Sequence, residues 1–256
     1  VIDAISNAYS NEYANVHRGL HYLSNLATDN YERVRAIIQK FLSAEHEEEI
    51  VFTSGTTEGI NLAAYGWAME HLSKDDEIIL SVMEHHANIV PWHFLRERLG
   101  VKIKWVDCDP NGNLDPQMVI DQFTEKTKLL AITHMSNVLG TVVDVRTLCH
   151  EARKNGIVSL VDGSQAAVHM PVNVSDIGCD FYAITGHKLC GPSGSGALYI
   201  RNDIQKKMRP FLGGGDMIKD VFKDKIIYND PPMKFEAGTP GIVQTIGLGV
   251  ALEYMM

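Results

Sequence analysis

At 256 residues the chain is long enough to bury a full core, as one large domain or two small ones. It carries 23 Lys+Arg against 32 Asp+Glu, a net charge of −9 with no basic cluster, which argues against nucleic acid or an anionic membrane as its main partner. Its apolar runs are strand-length, no signal peptide opens it, and its four cysteines form no Cys-x-x-Cys pair, so a cytoplasmic protein with free thiols is expected.

Seven short β-like runs alternate with amphipathic stretches. The runs are Ile50–Thr53, Glu77–Ser81, Val101–Val106, Thr127–Thr133, Ile157–Val161, Phe181–Ile184 and Gly196–Ile200. Between them, apolar residues recur at helical spacing over Asp29–Leu42, Gly59–Leu72, Ile89–Leu99, Pro116–Phe123 and Val145–Lys154. This alternation predicts an α/β fold, a mainly parallel seven-stranded sheet sandwiched by helices. From Gly213 to Pro232 the pattern fades into Gly-rich and polar sequence, read as a long excursion, before a helix resumes at Thr245–Tyr254.

Chemistry-bearing residues gather where strands end. Phe52-Thr53-Ser54-Gly55-Thr56-Thr57-Glu58-Gly59 joins the first strand to a helix, and its amides and threonine hydroxyls suit a phosphate, although the same turn serves equally as a plain helix cap. His85 and His86 follow the second strand; adjacent histidines on an extended chain point apart, which disfavours a shared metal but lets one imidazole lie over a planar ring. Asn137, in Thr-His-Met-Ser-Asn, closes the fourth run, where an amide reaches a ligand oxygen or merely shapes a turn.

Asp162 ends an all-apolar run with Gln165 just after it, and an unpaired carboxylate there must be exposed, paired or functional. Thr185-Gly186-His187-Lys188 adds a hydroxyl, an imidazole and an amine at the end of the next run. A lysine and an aspartate meeting at strand carboxyl ends suit pyridoxal phosphate (PLP): the amine binds its aldehyde and the carboxylate keeps the ring nitrogen protonated. Cys108, Cys149, Cys179 and Cys190 stand in no nucleophile context and read as small hydrophobes.

Taken in order, Asn15-Val16-His17-Arg18-Gly19, Gly55-Thr56-Thr57-Glu58-Gly59-Ile60-Asn61 and Met83-Glu84-His85-His86-Ala87-Asn88 resemble the SufS-type (group II) cysteine desulfurases and selenocysteine lyases. His134 to Gly140, Val161 to Gln165, Gly186-His187-Lys188 and Phe235-Glu236-Ala237-Gly238-Thr239-Pro240 extend the resemblance over essentially the whole chain. These proteins are class V aminotransferases of PLP fold type I. The resemblance implies that Lys188 binds the cofactor and shuttles the substrate Cα proton, while Asp162 pairs with the ring nitrogen and Gln165 with the phenolic oxygen. His85 would stack on the ring and serve as an acid or base.

By the same resemblance Thr57, Thr185 and His187 hold the phosphate with Thr56 nearby, Asn137 lies by the substrate, and His17 lines its entrance. Thr239 would reach a partner subunit's phosphate, with Gly213-Gly214-Gly215 near that subunit's site, in a homodimer. Thr185 stands where these enzymes often carry serine, which keeps the hydroxyl. The implied substrate is L-cysteine, and the sulfur goes to an acceptor protein of the iron–sulfur assembly system. Residues 1–25 would belong partly to a small domain and 26–256 to the PLP-binding large domain. The persulfide cysteine and the substrate-carboxylate arginine are expected in a C-terminal domain beyond Met256. The alternatives are another class V enzyme (a selenocysteine lyase, a kynureninase-like hydrolase or an aminotransferase) and a catalytically silent scaffold in a sulfur-transfer complex.

Overall fold

The computed structural model describes residues 1–256. Strands β1 (Ile50–Thr53), β2 (Glu77–Ser81), β3 (Lys102–Val106), β4 (Thr127–Thr133), β5 (Val158–Asp162), β6 (Phe181–Thr185) and β7 (Gly196–Ile200) form one sheet in the order β1-β7-β6-β5-β4-β2-β3. A separate hairpin joins β8 (Ile218–Val221) to β9 (Ile226–Tyr228). The helices are α1 (Ile2–Asn7), α2 (Tyr22–Leu42), α3 (Thr56–Ala63), α4 (Met69–His71), α5 (Val90–Leu99) and α6 (Pro116–Ile120), then α7 (Val145–Lys154), α8 (Ala166–His169), α9 (Val174–Ile177), α10 (Asn202–Gln205) and α11 (Ile242–Met255).

The expected α/β sandwich is present. β2, β3, β4, β5 and β6 run parallel, and β7 runs antiparallel to both β6 and β1. Gly196 of β7 is opposite both Thr53 and Thr185, so β1 shares the direction of the parallel group and its end lies level with that of β6. The carboxyl ends of six strands therefore lie along one sheet edge, and the turns leaving them carry the candidate residues.

Both faces of the sheet are covered, and the two-residue strand period sorts side chains between them. In β4, Leu130 and Ile132 join a core with Tyr31 and Ile38 of α2, Leu148 of α7 and Leu252 of α11. Leu129 and Ala131 face the other way, towards Ile60 and Leu62 of α3 and Trp92 of α5. Helix α7 shows how the local sequence sets an element. Val145, Leu148, Cys149 and Ala152 make one buried stripe, and the Asp144 side chain accepts the Thr147 N–H at 3.0 Å as its N-cap.

Two expectations need correction. The Gly213–Pro232 excursion contains the β8–β9 hairpin, whose side chains are nearly all exposed, so it has no buried face to give it an alternating pattern. Helix α2 begins at Tyr22 and not at Asp29, because His21 Nδ1 caps the Ser24 N–H at 3.3 Å while Tyr22 and Leu23 remain exposed and off the apolar stripe.

Beneath the site-bearing edge, Gly163 allows Tyr182 of β6 to pack flush against the end of β5. A Cβ there would lie 2.0 Å from Tyr182 Cε1, in a ring that is fully buried and cannot retreat. Gly163→Ala is expected to cost about 3 kcal/mol or more of folding stability, read as a lower urea midpoint; an unchanged midpoint would show that the ring can move.

Candidate active site

An open cleft of about 220 Å³ sits at the carboxyl edge of the sheet. It is lined by Thr56, Thr57, His85, Thr185, His187 and Lys188, together with Ser54, Gly55 and Ser164. Six residues drawn from three separate segments of the sequence thus converge on one space.

Its phosphate-like end is the start of α3. The first N–H groups of a helix have no partner within it, and their dipoles favour an anion. Gly55 precedes the helix at φ +148°, and a Cβ there would stand 3.1 Å from Thr185 Oγ1, so glycine lets the two turns close on each other. Thr57 is exposed on the cleft, whereas Thr56 is buried and its hydroxyl is shared with Ser164 Oγ at 2.7 Å. Across the cleft, Thr185 Oγ1 and His187 Nδ1 lie 2.9 Å apart. The cap reading also holds in part: Glu58 Oε2 accepts from the Ser54 N–H at 2.6 Å and the Ser54 hydroxyl at 2.5 Å.

Asp162 lies just below the cleft wall, only 4% exposed. It caps no helix; its Oδ1 accepts the Ser164 N–H at 2.9 Å, and its Oδ2 accepts no hydrogen bond from the protein. Ser164 thereby joins the carboxylate to Thr56, a link that only the extra serine in Asp-Gly-Ser-Gln could have signalled. Behind Asp162, His134 Nδ1 lies 2.9 Å from the Tyr182 hydroxyl, and burial lowers the His134 pKa to about 4, so its ring is neutral. Gln165 is half-buried at the start of α8 and does not line the cleft.

His85 is exposed on the cleft, and its Nδ1 accepts the Ala87 N–H at 3.1 Å, leaving Nε2 to carry the proton of the neutral ring. Its neighbour Glu84 is buried. Glu84 Oε1 accepts from Ser81 Oγ at 2.6 Å and the Thr133 N–H at 3.0 Å, and Oε2 accepts from Asn88 Nδ2 at 2.7 Å. Burial pushes this carboxyl up to about 7, against those three bonds and with help from the charge of Asp162.

The remaining candidates lie elsewhere. Asn137 is exposed on the turn after β4 and lines neither this cleft nor its neighbour. His17 and Thr239 line a second cleft of about 210 Å³, which meets the first at Ser54 and Glu58. Arg35, 3% exposed, organises that wall. It donates to both oxygens of Glu236 at 2.8 and 3.1 Å, to both oxygens of Glu32 at 2.8 and 3.2 Å, and to the Ile50 carbonyl at 2.7 Å. Glu32 in turn holds His17 Nε2 at 2.9 Å, and Glu236 Oε1 accepts the Phe52 N–H at 2.8 Å. Burial opposes ionisation of Glu32, but the bonds from His17 and Arg35 outweigh it and hold that carboxyl at about 2.

A ligand with a phosphate, a flat ring bearing an N–H⁺ and an aldehyde matches this donor set. Helix amides, threonine hydroxyls and the Lys188 amine line the cleft, and Asp162 lies below its wall, bonded to the lining residue Ser164. Comparison with known proteins agrees. The aminotransferase class-V family model matches residues 1–256. This chain belongs to that family. It is 51% identical over 255 residues to a probable cysteine desulfurase of Xylella fastidiosa, covering all of this chain and 61% of that protein.

It is 47% identical over 256 residues to a cysteine desulfurase of Escherichia coli, covering 63% of it. Among solved structures it superposes on the apo cysteine desulfurase of Thermococcus onnurineus at TM-score 0.95 and 40% identity, over 99% of this chain and 63% of that one. It matches the cysteine desulfurase CsdA (S-sulfonic acid) of Escherichia coli at TM-score 0.92 and 39% identity, over 99% and 64%. The fold is thus the PLP fold type I α/β architecture, and the chain spans under two thirds of the length of these relatives.

Because the folded His134 pKa is depressed from 6.5, its contribution to stability is complete above pH 6.5 and is lost as pH falls towards 4. At pH 5 that loss is about 2 kcal/mol, and His134→Gln is expected to abolish it. The test is the urea midpoint at pH 5 and 7; equal pH slopes in the two proteins would mean that the histidine is charged in the fold.

Proposed function

We propose that this chain is the cofactor-binding part of a group II, SufS-type cysteine desulfurase that converts L-cysteine to L-alanine and passes the sulfur on as a persulfide for iron–sulfur cluster assembly. The observation that carries the reading is the convergence of Lys188, His85, Thr185, His187 and the α3 start on one cleft, with the buried Asp162 held just beneath it through Ser164. The names of its relatives support the substrate, and the ordered motifs through Phe-Glu-Ala-Gly-Thr-Pro support the group II type.

Pyridoxal phosphate, when bound, supplies an electron sink that stabilises a carbanion at the substrate Cα. In this reading Lys188 Nζ would hold the aldehyde, and the same amine would move the substrate Cα proton. Asp162 Oδ2, which takes no hydrogen bond from the protein, would keep a proton on the ring nitrogen. Gln165 serves the phenolic oxygen. Thr57, Thr185, His187 and the α3 amides hold the phosphate, with Thr56 bracing the wall through Ser164. His85 covers the ring face, and its Nε2 is the free position for acid–base work. Asn137 and His17 serve the substrate side.

The sulfur step breaks the substrate C–S bond, forms an S–S bond to an enzyme thiolate and returns a proton to Cβ, so no external oxidant is needed. The cleft is lined by no cysteine, and the reading takes that thiolate and the substrate-carboxylate arginine from sequence beyond Met256.

Thr239 and Gly213 to Gly215 serve the site of a second subunit, and the exposed apolar side chains of the adjacent hairpin support a homodimer. The reading extends to a sulfur-acceptor protein, to a cytoplasmic setting supported by four unpaired cysteines, and to residues 1–25 as a strip shared with a smaller domain. No helix is long and apolar enough to cross a membrane.

The full-length protein is expected to show the visible absorbance of lysine-bound cofactor and to release alanine from cysteine. Lys188→Ala should abolish both. Asp162→Ala should keep the fold and lose turnover by orders of magnitude. A band without turnover of any amino acid would favour a silent scaffold, turnover of another substrate a different class V enzyme, and near-normal activity of Asp162→Ala would remove the ring-nitrogen role.

A further inference from the structure

Glu84 is a buried carboxylate one residue from the cleft, with no catalytic assignment and no cation beside it. Its three donors come from three elements: Ser81 at the end of β2, Asn88 in the turn entering α5, and the Thr133 backbone at the end of β4. The bond from Ser81 ties Glu84 back to the end of β2, and that from Asn88 spans His85. Glu84 precedes it, and the Asn88 N–H donates to the His85 carbonyl at 2.7 Å while the Asn88 side chain donates to Glu84. The third reaches the strand beside Asp162, because Thr133 is the residue opposite Asp162 in the β4–β5 register and the next N–H, that of His134, donates to the Asp162 carbonyl at 3.0 Å.

We propose that Glu84 is a positioning residue: it ties the His85 turn to the strand that flanks Asp162 and so sets the gap between the imidazole and the carboxylate. The inference rests on the reading of the cleft as a pyridoxal phosphate site, in which a flat ring occupies that gap. His85 itself has one side-chain hydrogen bond, to the Ala87 N–H inside the same turn, so its position against the sheet depends on where Glu84 holds that turn.

The demand for a carboxylate is stereochemical. If the glutamine introduced by Glu84→Gln kept its oxygen towards Thr133, its amide would face the Asn88 amide, donor to donor. Asn88 cannot turn over to accept, because its Oδ1 already takes the Trp92 indole N–H at 3.1 Å. If the introduced side chain turned instead, its amide would face the Thr133 N–H. A glutamate that has lost its proton satisfies every donor, and no arrangement of the amide does.

The test uses the full-length protein loaded with pyridoxal phosphate at pH 8. Glu84→Gln is expected to lower kcat about 10–100-fold with KM for cysteine within about threefold, and to change the visible circular dichroism of the bound cofactor. Trp92→Phe removes the indole donor and frees Asn88 to turn, so adding it to Glu84→Gln should recover much of the loss. A structural defect alone would be deepened by this second core substitution. In the protein without cofactor, the His85 ring resonance should shift in Glu84→Gln. It should shift likewise in Asn88→Ala, which covers the case in which Glu84→Gln does not fold. Unchanged kcat and dichroism, or an unmoved His85 resonance, overturns the inference. Should the wild-type protein show no lysine-bound cofactor band, the reading of the cleft fails by itself, and the resonance measurement still decides the positioning.

Discussion

A largely buried carboxylate at the end of an apolar strand is the constraint around which the candidate site is organised. Asp162 is 4% exposed, receives one N–H from Ser164, and keeps its second oxygen unbonded by the protein. Burying a charge is costly unless it is paired. The surroundings make that burial possible without pairing it: Gly163 lets Tyr182 pack closely, and Tyr182 joins a neutral His134 that adds no positive charge. The fold therefore leaves one oxygen of this carboxylate without a protein donor, next to the residue Ser164 that lines the cleft.

The opposite polarity is built a short distance along the same edge. Six parallel strands bring their carboxyl ends to one line, and α3 starts there with free amides, so an anion is favoured at one end and a cation at the other. A ligand with a phosphate and a protonated ring suits that pair of polarities, and Lys188 lines the cleft beside the α3 start. Neither end alone would discriminate, since helix starts and strand-end aspartates are common. The sheet brings both to one edge, where Ser164 links the Asp162 carboxylate to Thr56 of α3.

The sequence made the parallel sheet legible because strands buried on both faces read as continuous apolar runs, and those of β4, β5 and β6 end in Thr133, Asp162 and Thr185. Polar residues at those ends stood out against what preceded them, which is why Asp162 and Lys188 could be named. The hairpin at Ile218–Tyr228 was not legible, since an exposed ribbon lacks the buried face that creates a period. Arg35 was missed for a related reason: within the α2 pattern it reads as a solvated charge, and only the fold brings Glu236 to it from far along the chain. Ser164 and Glu84 were visible letters in recognised motifs, but their partners lie on other strands, and no local spacing reports them.

Both clefts turn out to rest on the same device, with a difference in charge balance. Glu236 pins the Thr239-bearing loop to β1 through the Phe52 N–H, as Glu84 pins the His85 turn to β4 through the Thr133 N–H. Burial raises both carboxyls, yet Arg35 opposes the shift at Glu236, while Glu84 has only neutral donors and a like charge at Asp162. A guanidinium with five fixed donors keeps its loop anchored wherever carboxylates ionise. The His85 turn instead depends on a group that titrates near neutrality. The fold thus anchors the Thr239 loop with paired charges and the His85 turn with neutral donors alone, so only the second anchor loosens when a single carboxylate takes up a proton.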